Sequence, residues 1–282
     1  MAERWLDGHR SLDRSRQRDN HGYRPLQWWF VGRLYEHAGA RQRPAVLVLT
    51  GASGGIDFQM APWVASQGYN VLSRGYFNAP GLPADLLELP REYFVTAIEW
   101  LAKRHSTRDV SVLGGSLGAE AALLIGSYYP DRVRVVVAWM PTHVVWEGID
   151  ARARFGGDST FASPGKSRWS LNGKPLPFVR KFISAARLEK LPAASGDQYA
   201  PQFDQPIDPA VVIPVERIRG PVFLVGAGDD LAWPSLRMGR EVRARLARRA
   251  KGPEVQLLEY PMAGHTIPPP GIGPNLSLGG TY

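Results

Sequence analysis

Apolar residues in this chain follow two patterns that alternate along its length. In the first, short runs are wholly or mostly apolar, as in the stretch from Ala45 to Leu49. Strands of a parallel sheet show this pattern because helices cover both faces of the sheet. The runs predict strands at 45–49, 69–73, 110–113, 133–139, 221–225 and 254–260.

In the second pattern, apolar residues recur every three or four positions, which is the period of one helix face. Residues 91–104 show it, with apolar residues at 94, 95, 98 and 101. Further helices are predicted at 61–67, 117–128 and 237–249, the last of them basic and amphipathic. Strands alternating with helices predict an α/β fold, with a mostly parallel sheet and helices on both faces.

Three segments depart from this alternation. Residues 1–24 are highly polar, and we expect them to form a flexible leader. Residues 27–35 are aromatic and β-prone and predict a hairpin strand that leads into the domain. Residues 141–215 are rich in Pro, Gly, Ser and aromatic residues, and we interpret them as a cap inserted between consecutive strands. The chain is therefore expected to hold one domain, over 25–282, that carries this insertion.

The composition is that of an ordinary globular protein, with 44% hydrophobic and 21% charged residues among 282. The absence of Cys excludes disulfides, thiolate metal sites and a cysteine nucleophile; no metal or cofactor is expected. No apolar run is long enough to span a bilayer and the N-terminus lacks a signal core, so the predicted location is cytoplasmic. The net charge is +8, but the basic residues are scattered, and no nucleic-acid partner is expected. The oligomeric state stays open.

A Gly-x-Ser-x-Gly pattern occurs twice, at 51–55 and at 114–118. Each copy follows an apolar run, and such a pattern between a strand and a helix predicts a nucleophile elbow, a sharp turn that exposes the serine hydroxyl. In the α/β-hydrolase fold the loop that binds the oxyanion precedes the elbow in the chain. Only Ser116 has a Gly-rich loop upstream of it, and a strong helix follows it. We therefore predict Ser116 as the nucleophile, with a chance match as the alternative.

The earlier copy then becomes the predicted oxyanion loop, because glycines let backbone N–H groups approach a substrate. The expected donors are the backbone N–H groups of Leu117 and of Ala52. The alternative is that residues 51–55 form an ordinary strand-to-helix turn.

Chain order also selects the base and the acid. His265 lies in the loop after the last predicted strand, where this fold places its base; His143, at the end of another strand, is the one serious competitor. The loop after the preceding strand holds two adjacent aspartates. The Asp-x-x-Trp-Pro spacing favours Asp230, whereas a Gly-x-x-Asp spacing would favour Asp229, and we predict Asp230. Ser116, Asp230 and His265 would form a catalytic triad for acyl transfer.

Several segments resemble one α/β-hydrolase family, the acyl-CoA thioesterases and bile acid-CoA:amino acid N-acyltransferases, in its C-terminal catalytic domain. The resemblance covers about residues 40–275. The segments that carry it are 68–77, 89–94, 110–129, 172–178, 214–222, 228–235 and 260–265. It implies acyl thioesters such as acyl-CoA as substrates, with Ser116, Asp230 and His265 as the triad.

Two departures from the family affect what is expected. Members usually carry a β-rich N-terminal domain, whereas about 44 residues precede Ala45 here, so we expect that domain to be lacking. Members that conjugate amino acids tend to use a cysteine nucleophile, and the serine at 116 favours hydrolysis of an acyl thioester through an acyl-serine. Transfer to an amine or hydroxyl acceptor and cleavage of carboxylic esters remain the alternatives.

Aromatic and basic side chains supply candidate substrate contacts. Tyr76 is a candidate for lining the acyl pocket, although core packing explains it equally well. Trp146 and Trp169 of the predicted cap are candidates as well. Five basic cap residues are candidates for contact with CoA phosphates, although a solvated loop surface explains them better: Arg152, Arg154, Lys166, Arg168 and Lys174.

Overall fold

The computed structural model describes residues 2–6, 31–36, 43–150, 165–180, 199, 203, 206–249, 252 and 254–271. Within these residues, the strands are β1 (Ala2–Leu6), β2 (Gly32–Glu36), β3 (Ala45–Leu49), β4 (Asn70–Arg74), β5 (Leu89–Pro90), β6 (Val110–Gly115), β7 (Val136–Trp139), β8 (Trp169–Leu171), β9 (Lys174–Pro175), β10 (Val222–Ala227) and β11 (Val255–Tyr260). The α-helices are α1 (Met60–Ser66), α2 (Glu92–His105), α3 (Leu117–Tyr128) and α4 (Ser235–Ala247), with 3₁₀ turns at Pro209–Val211 and Val215–Arg217.

The main sheet of the described residues has eight strands in the order β1-β2-β4-β3-β6-β7-β10-β11. From β4 to β11 all neighbours pair in parallel, while β2 pairs antiparallel to β4 and β1 antiparallel to β2. Every residue of β3 is buried, whereas exposed and partly buried residues alternate along the edge strand β11. The predicted α/β class with a mostly parallel sheet is therefore confirmed.

Helices cover both faces of the sheet because side chains alternate along each strand. Leu47 points into the larger core, which contains apolar residues of α2 and α3. Val46 and Val48 point into a second core on the opposite face, together with Met60 and Val64 of α1. The helix α3 is buried over nearly its whole length. It therefore provides a rigid base for the turn that precedes it.

The polar leader requires a correction at its start. Residues 2–6 were expected to be flexible, but Ala2–Leu6 forms the edge strand β1, in register with β2. Backbone pairing at a sheet edge needs no apolar run, which is why the polarity of this segment does not predict it. The remainder of 1–24, and residues 27–30 of the predicted hairpin strand, lie outside the described residues; the strand itself is observed at Gly32–Glu36.

The predicted insertion at 141–215 lies between β7 and β10. Within its described part, β8 and β9 join β5 in a small three-stranded sheet. A third apolar cluster, which includes Val144, Trp146 and Val211, packs this insertion against Trp233 and Met238. The helices of the described residues include none with the length and apolarity needed to cross a bilayer.

Candidate active site

Ser116 occupies a sharp turn between β6 and α3. Its φ and ψ angles are 55° and −120°, a conformation that is uncommon for any residue other than glycine. The Ser116 N–H donates to the carbonyl oxygen of Trp139 over 2.7 Å, which fixes the turn to the neighbouring strand. A Cβ atom on Gly118 would lie 2.5 Å from the carbonyl oxygens of Leu49 and Thr50, and one on Gly114 would overlap Gly118. Both flanking glycines are thus required by the space available.

The hydroxyl of Ser116 meets the histidine that chain order predicts. Ser116 Oγ lies 2.7 Å from His265 Nε2, and His265 Nδ1 lies 2.8 and 2.9 Å from the two carboxylate oxygens of Asp230. The Asp230 side chain is fully buried, whereas that of His265 is 25% exposed. This geometry allows the imidazole to accept the serine proton at Nε2 while the carboxylate holds Nδ1 protonated.

The loop after β10 distinguishes the two adjacent aspartates. Asp230 Oδ1 accepts hydrogen bonds from the N–H groups of Ala232 and Trp233, at 2.9 and 3.1 Å, which orient the carboxylate toward His265. Asp229 is exposed, and its backbone N–H donates to the carbonyl oxygen of Ala263. Asp229 therefore joins the two loops through its backbone, and Asp230 is the residue that contacts the imidazole.

The segment 51–55 lies directly beside Ser116. Its backbone forms a turn in which the Gly54 N–H donates to the Gly51 carbonyl oxygen over 3.2 Å. A Cβ atom on Gly51 would lie 3.8 Å from Ser116 Oγ, so the backbone here approaches the hydroxyl closely. Ala52 is exposed in this turn, and Leu117 is the first residue of α3, whose N–H has no partner within the helix. The N–H groups of Leu117 and Ala52 stay the predicted oxyanion donors.

Two side chains, the buried Tyr76 and the partly exposed Asn78, hold this turn in place. The Tyr76 hydroxyl donates to the Thr50 carbonyl oxygen over 2.6 Å, and Asn78 Nδ2 donates to the Ser53 carbonyl oxygen over 2.7 Å. Ser53 itself is exposed. The second serine of the repeated pattern therefore belongs to a supporting loop and does not contact His265.

The other histidines of the described residues are placed away from Ser116. The His143 ring packs against Phe203, and burial, together with the nearby charges of Arg237 and Arg245, lowers the pKa of His143 to about 4. His105 is buried near the opposite edge of the sheet, where its Nδ1 lies 3.0 Å from Asn70 Nδ2. The remaining histidines, His9, His21 and His37, lie outside the described residues.

The three aromatic residues expected to contact substrate require a correction. Tyr76, Trp146 and Trp169 are all 0% exposed. The Tyr76 ring packs against Trp169, and the indole N–H of Trp146 donates to Thr142 Oγ1 over 2.9 Å. Because they fill the core and bind its polar groups, these side chains have a packing role, which was the alternative considered for Tyr76.

Glu120 is a residue of this region that the sequence reasoning missed. It lies one helical turn after Ser116 and is fully buried. One carboxylate oxygen accepts from the Trp146 N–H and the Trp169 indole, at 3.0 and 2.8 Å, and the other pairs with Arg168. Burial raises the pKa of Glu120, and these donors oppose that rise. A lone acidic residue within an Ala- and Leu-rich helix was the available signal, since a buried carboxylate requires partners.

The basic cap residues separate into three groups. Lys166 and Lys174 are exposed, as the solvated-surface interpretation predicts. Arg168 is buried in its ion pair with Glu120 and is not available to an external phosphate. Arg152 and Arg154 lie outside the described residues.

Comparison with known families agrees with this architecture. Residues 89–275 match the family described as BAAT / acyl-CoA thioester hydrolase C terminal. The chain belongs to this family. The resemblance noted in the sequence is thus confirmed over most of its length.

Curated relatives include both enzyme types named in that family. Acyl-coenzyme A thioesterase 6 of Mus musculus is 26% identical over 252 residues, covering 86% of this chain and 53% of the mouse protein. Acyl-coenzyme A amino acid N-acyltransferase 1 of Mus musculus is 27% identical over 285 residues, covering 94% of this chain and 60% of that protein. The chain therefore spans little more than half the length of these relatives.

Solved structures establish the fold. Acetyl xylan esterase 1 from Thermoanaerobacterium sp. JW/SL YS485 aligns with a TM-score of 0.50 at 16% identity, over 88% of this chain and 77% of that one. Dipeptidyl peptidase 4 from Porphyromonas gingivalis aligns with a TM-score of 0.51 at 12% identity, over 94% of this chain and 32% of that one. At these identities the likeness concerns the fold, which is that of the α/β-hydrolases.

Proposed function

We propose that this protein is a serine hydrolase that cleaves acyl thioesters of the acyl-CoA type through an acyl-serine intermediate. The observation that carries the proposal is the continuous hydrogen-bonded chain from Ser116 Oγ through His265 to the buried Asp230. Its family, and the thioesterase among its relatives, support the thioester as the substrate class. The predicted cytoplasmic location stays a prediction.

In the proposed first half-reaction, His265 Nε2 takes the proton of Ser116 as Oγ attacks the thioester carbonyl carbon. The oxygen of the tetrahedral intermediate carries the negative charge and accepts hydrogen bonds from the N–H groups of Leu117 and Ala52. As the carbon–sulfur bond breaks, the imidazolium returns its proton to the departing thiolate, which leaves as a thiol. Asp230 stabilises the imidazolium throughout.

In the second half-reaction a water molecule takes the place of the thiol. His265 removes its proton as the water oxygen attacks the acyl carbon. The bond from that carbon to Ser116 Oγ then breaks and the imidazolium returns the proton to Oγ, which yields the carboxylic acid and free Ser116. Each oxyanion donor contributes roughly 3 kcal/mol to the stability of the transition state. Ser116 Oγ already lies 2.7 Å from His265 Nε2, so transfer of its proton to the base requires no side-chain rearrangement.

The experiment that tests the proposal measures two things on the same purified chain. Thiol release from a panel of acyl-CoA thioesters is followed with a thiol reagent, and a fluorophosphonate probe is mapped by mass spectrometry. We expect release of CoA together with free acid and labelling at Ser116 alone. Labelling at Ser53, or labelling at Ser116 without turnover of any thioester or ester, contradicts the proposal.

Transfer of the acyl group to an amine is the second candidate, supported by the similarity to the mouse N-acyltransferase. It shares the acyl-serine and differs only in the nucleophile that resolves it. Product analysis in the presence of amino acids and simple alcohols separates the two, since transfer yields an amide or ester and hydrolysis yields only the acid. Matched p-nitrophenyl esters test the third possibility, a carboxylesterase, which predicts turnover equal to that of the thioesters.

A further inference from the structure

A small cavity of about 100 Å³ is lined by Gly115 and Thr266, the chain neighbours of Ser116 and His265. Gly51 and Gly115 form its inner wall, and Gly115 directly precedes the nucleophile. Thr266, next to His265, lines it on the other side. Gly51 lies beside the hydroxyl, since a Cβ atom on it would be 3.8 Å from Ser116 Oγ. An acyl group held on Ser116 is therefore within reach of this cavity.

Apolar side chains make up most of the remaining wall. Leu49 and Leu113 come from the ends of β3 and β6, and Met60 comes from the first turn of α1. All three are buried. An acyl chain that enters this space leaves water for an apolar surface, which favours hydrocarbon over polar groups.

Trp139 is held in place on the wall of the cavity. It lines the wall at the end of β7, and its indole N–H donates to the Ile267 carbonyl oxygen over 3.0 Å. This bond joins the wall to the loop that carries His265, so displacing the indole would disturb the proposed base. Lengthening the cavity in this direction is therefore unfavourable.

The polar groups on the wall disfavour a negatively charged acyl group. Asp57 is among the lining residues, with Oδ1 accepting from the N–H groups of Gln59 and Ala61 at 3.0 and 2.8 Å. Neither Lys nor Arg occurs among the described residues that line the cavity. A terminal carboxylate in this space would have no cation beside it, and burying an unpaired charge is costly.

We propose that this cavity selects short, uncharged, hydrocarbon acyl groups. The proposal rests on the proposed thioesterase function and adds the acyl specificity to it. A cavity of about 150 Å³ in a protein holds benzene, with six carbon atoms. By the same ratio, about 100 Å³ holds about four carbons beyond the carbonyl, which corresponds to butyryl and pentanoyl groups.

The test is a chain-length profile of kcat/KM from acetyl-CoA to lauroyl-CoA, with succinyl-CoA as the charged counterpart of butyryl-CoA. We expect roughly a four-fold rise for each methylene up to about pentanoyl, the ratio that corresponds to the transfer of one methylene from water. Beyond pentanoyl we expect kcat/KM to fall by ten-fold or more by octanoyl-CoA. For succinyl-CoA we expect a kcat/KM at least 100-fold below that for butyryl-CoA. A maximum at decanoyl or longer, or equal rates for succinyl and butyryl groups, overturns the proposal.

Two substitutions change the cavity in opposite directions. Met60→Ala removes side-chain atoms from the wall, and we expect the preferred chain to lengthen by about three carbons on the same volume ratio. Gly115→Ala is sterically permitted, since the nearest atom to the added methyl group is Trp139 Cβ at 4.0 Å, and the preferred chain should shorten. The matched control is Leu258→Ala, at an exposed position on β11, which should keep the parent profile. An unchanged preference in both cavity variants overturns the proposal.

The same acyl series presented as p-nitrophenyl esters separates this proposal from the proposed function. If the esters show the short-chain maximum and no CoA thioester is cleaved, the cavity assignment stands and the thioesterase function fails. If thioesters are cleaved with a long-chain maximum, the function stands and the cavity assignment fails. If neither the thioesters nor the p-nitrophenyl esters are turned over, both the proposed function and the cavity assignment are wrong.

Discussion

The two Gly-x-Ser-x-Gly segments lie at the ends of neighbouring parallel strands, with Leu49 of β3 paired to Gly114 of β6. They nevertheless have different structures. Ser116 lies directly before a 12-residue buried helix, in a left-handed conformation, with its hydroxyl against His265. Ser53 lies in an exposed turn, and the next helix begins only at Met60.

The two segments differ in how closely a helix follows the turn. Gly118 has no space for a side chain because the first turn of α3 packs directly against the end of β3. This close packing leaves room only for a tight turn at Ser116. In the first segment, Gly54 and Gly55 both have positive φ angles, 68° and 67°, and the Gly54 N–H donates to the Gly51 carbonyl oxygen, so the turn is completed before any helix begins. The first segment is therefore suited to presenting backbone N–H groups, and the second to presenting a hydroxyl.

The largest expected difference between the two segments comes from replacing each serine with alanine. Ser116→Ala should reduce kcat/KM by about 10⁴-fold or more, because the covalent route is lost. Ser53→Ala should leave it within about two-fold, as expected of an exposed side chain. Both are measured as thiol release at saturating and limiting acyl-CoA, with circular dichroism to check folding. Equal losses in the two variants would mean that the roles assigned to the two turns are mistaken.

A second test compares the acidic residues that follow the two turns. Glu120→Gln leaves the Arg168 charge buried without its partner, and we expect the free energy of unfolding to fall by about 3–5 kcal/mol. Asp57→Ala removes a carboxylate that accepts from N–H groups at the start of α1, and a fall of about 1 kcal/mol is expected. Urea denaturation measures both.

The control for the second test removes both charges at once. The double variant Glu120→Leu with Arg168→Met should recover part of the lost stability, because no buried charge is left unpaired. If this double variant is less stable than Glu120→Gln, the ion pair stabilises the fold more through its hydrogen bonds to the cap than through the attraction between its charges.

A third test compares the glycines of the two segments. Gly118→Ala places a methyl group 2.5 Å from two carbonyl oxygens, and overpacking of this kind costs about 3 kcal/mol. For Gly55→Ala the nearest atom is 3.8 Å away, so only the positive φ is penalised, at about 1–2 kcal/mol. Thermal unfolding of the two variants measures the difference; a larger loss at Gly55 would show that the first turn is the more constrained one.

Much of the fold follows from local patterns in the sequence. The run at 45–49 and the helix at 117–128 are observed at the predicted residues, because continuous apolar runs have few environments other than a covered sheet. The pairing of Ala2–Leu6 with β2 is different, since edge pairing depends on a distant strand and leaves little trace in local polarity.

In the candidate site too, some features follow from the sequence and others depend on contacts between distant residues. Chain order predicted Ser116 and His265, residue spacing favoured Asp230 over Asp229, and the structure brings Ser116, Asp230 and His265 together. Trp146 and Trp169 are buried and not exposed to a substrate, which the sequence did not reveal, because an aromatic residue in a Gly- and Pro-rich insertion looks the same in sequence in either place. For Tyr76, core packing was already an equal alternative.

The sequence by itself determined the alternation of strands and helices, the repeated glycine-serine turns and the order of serine, aspartate and histidine. These are properties of local residue types and of their sequence, and they need no knowledge of contacts. Only the tertiary structure decided that Asp230, and not Asp229, contacts His265, that Glu120 joins the helix after Ser116 to the cap, and that the cavity beside Gly115 is about 100 Å³. Each of these depends on the distance between residues far apart in the chain, which is set by packing.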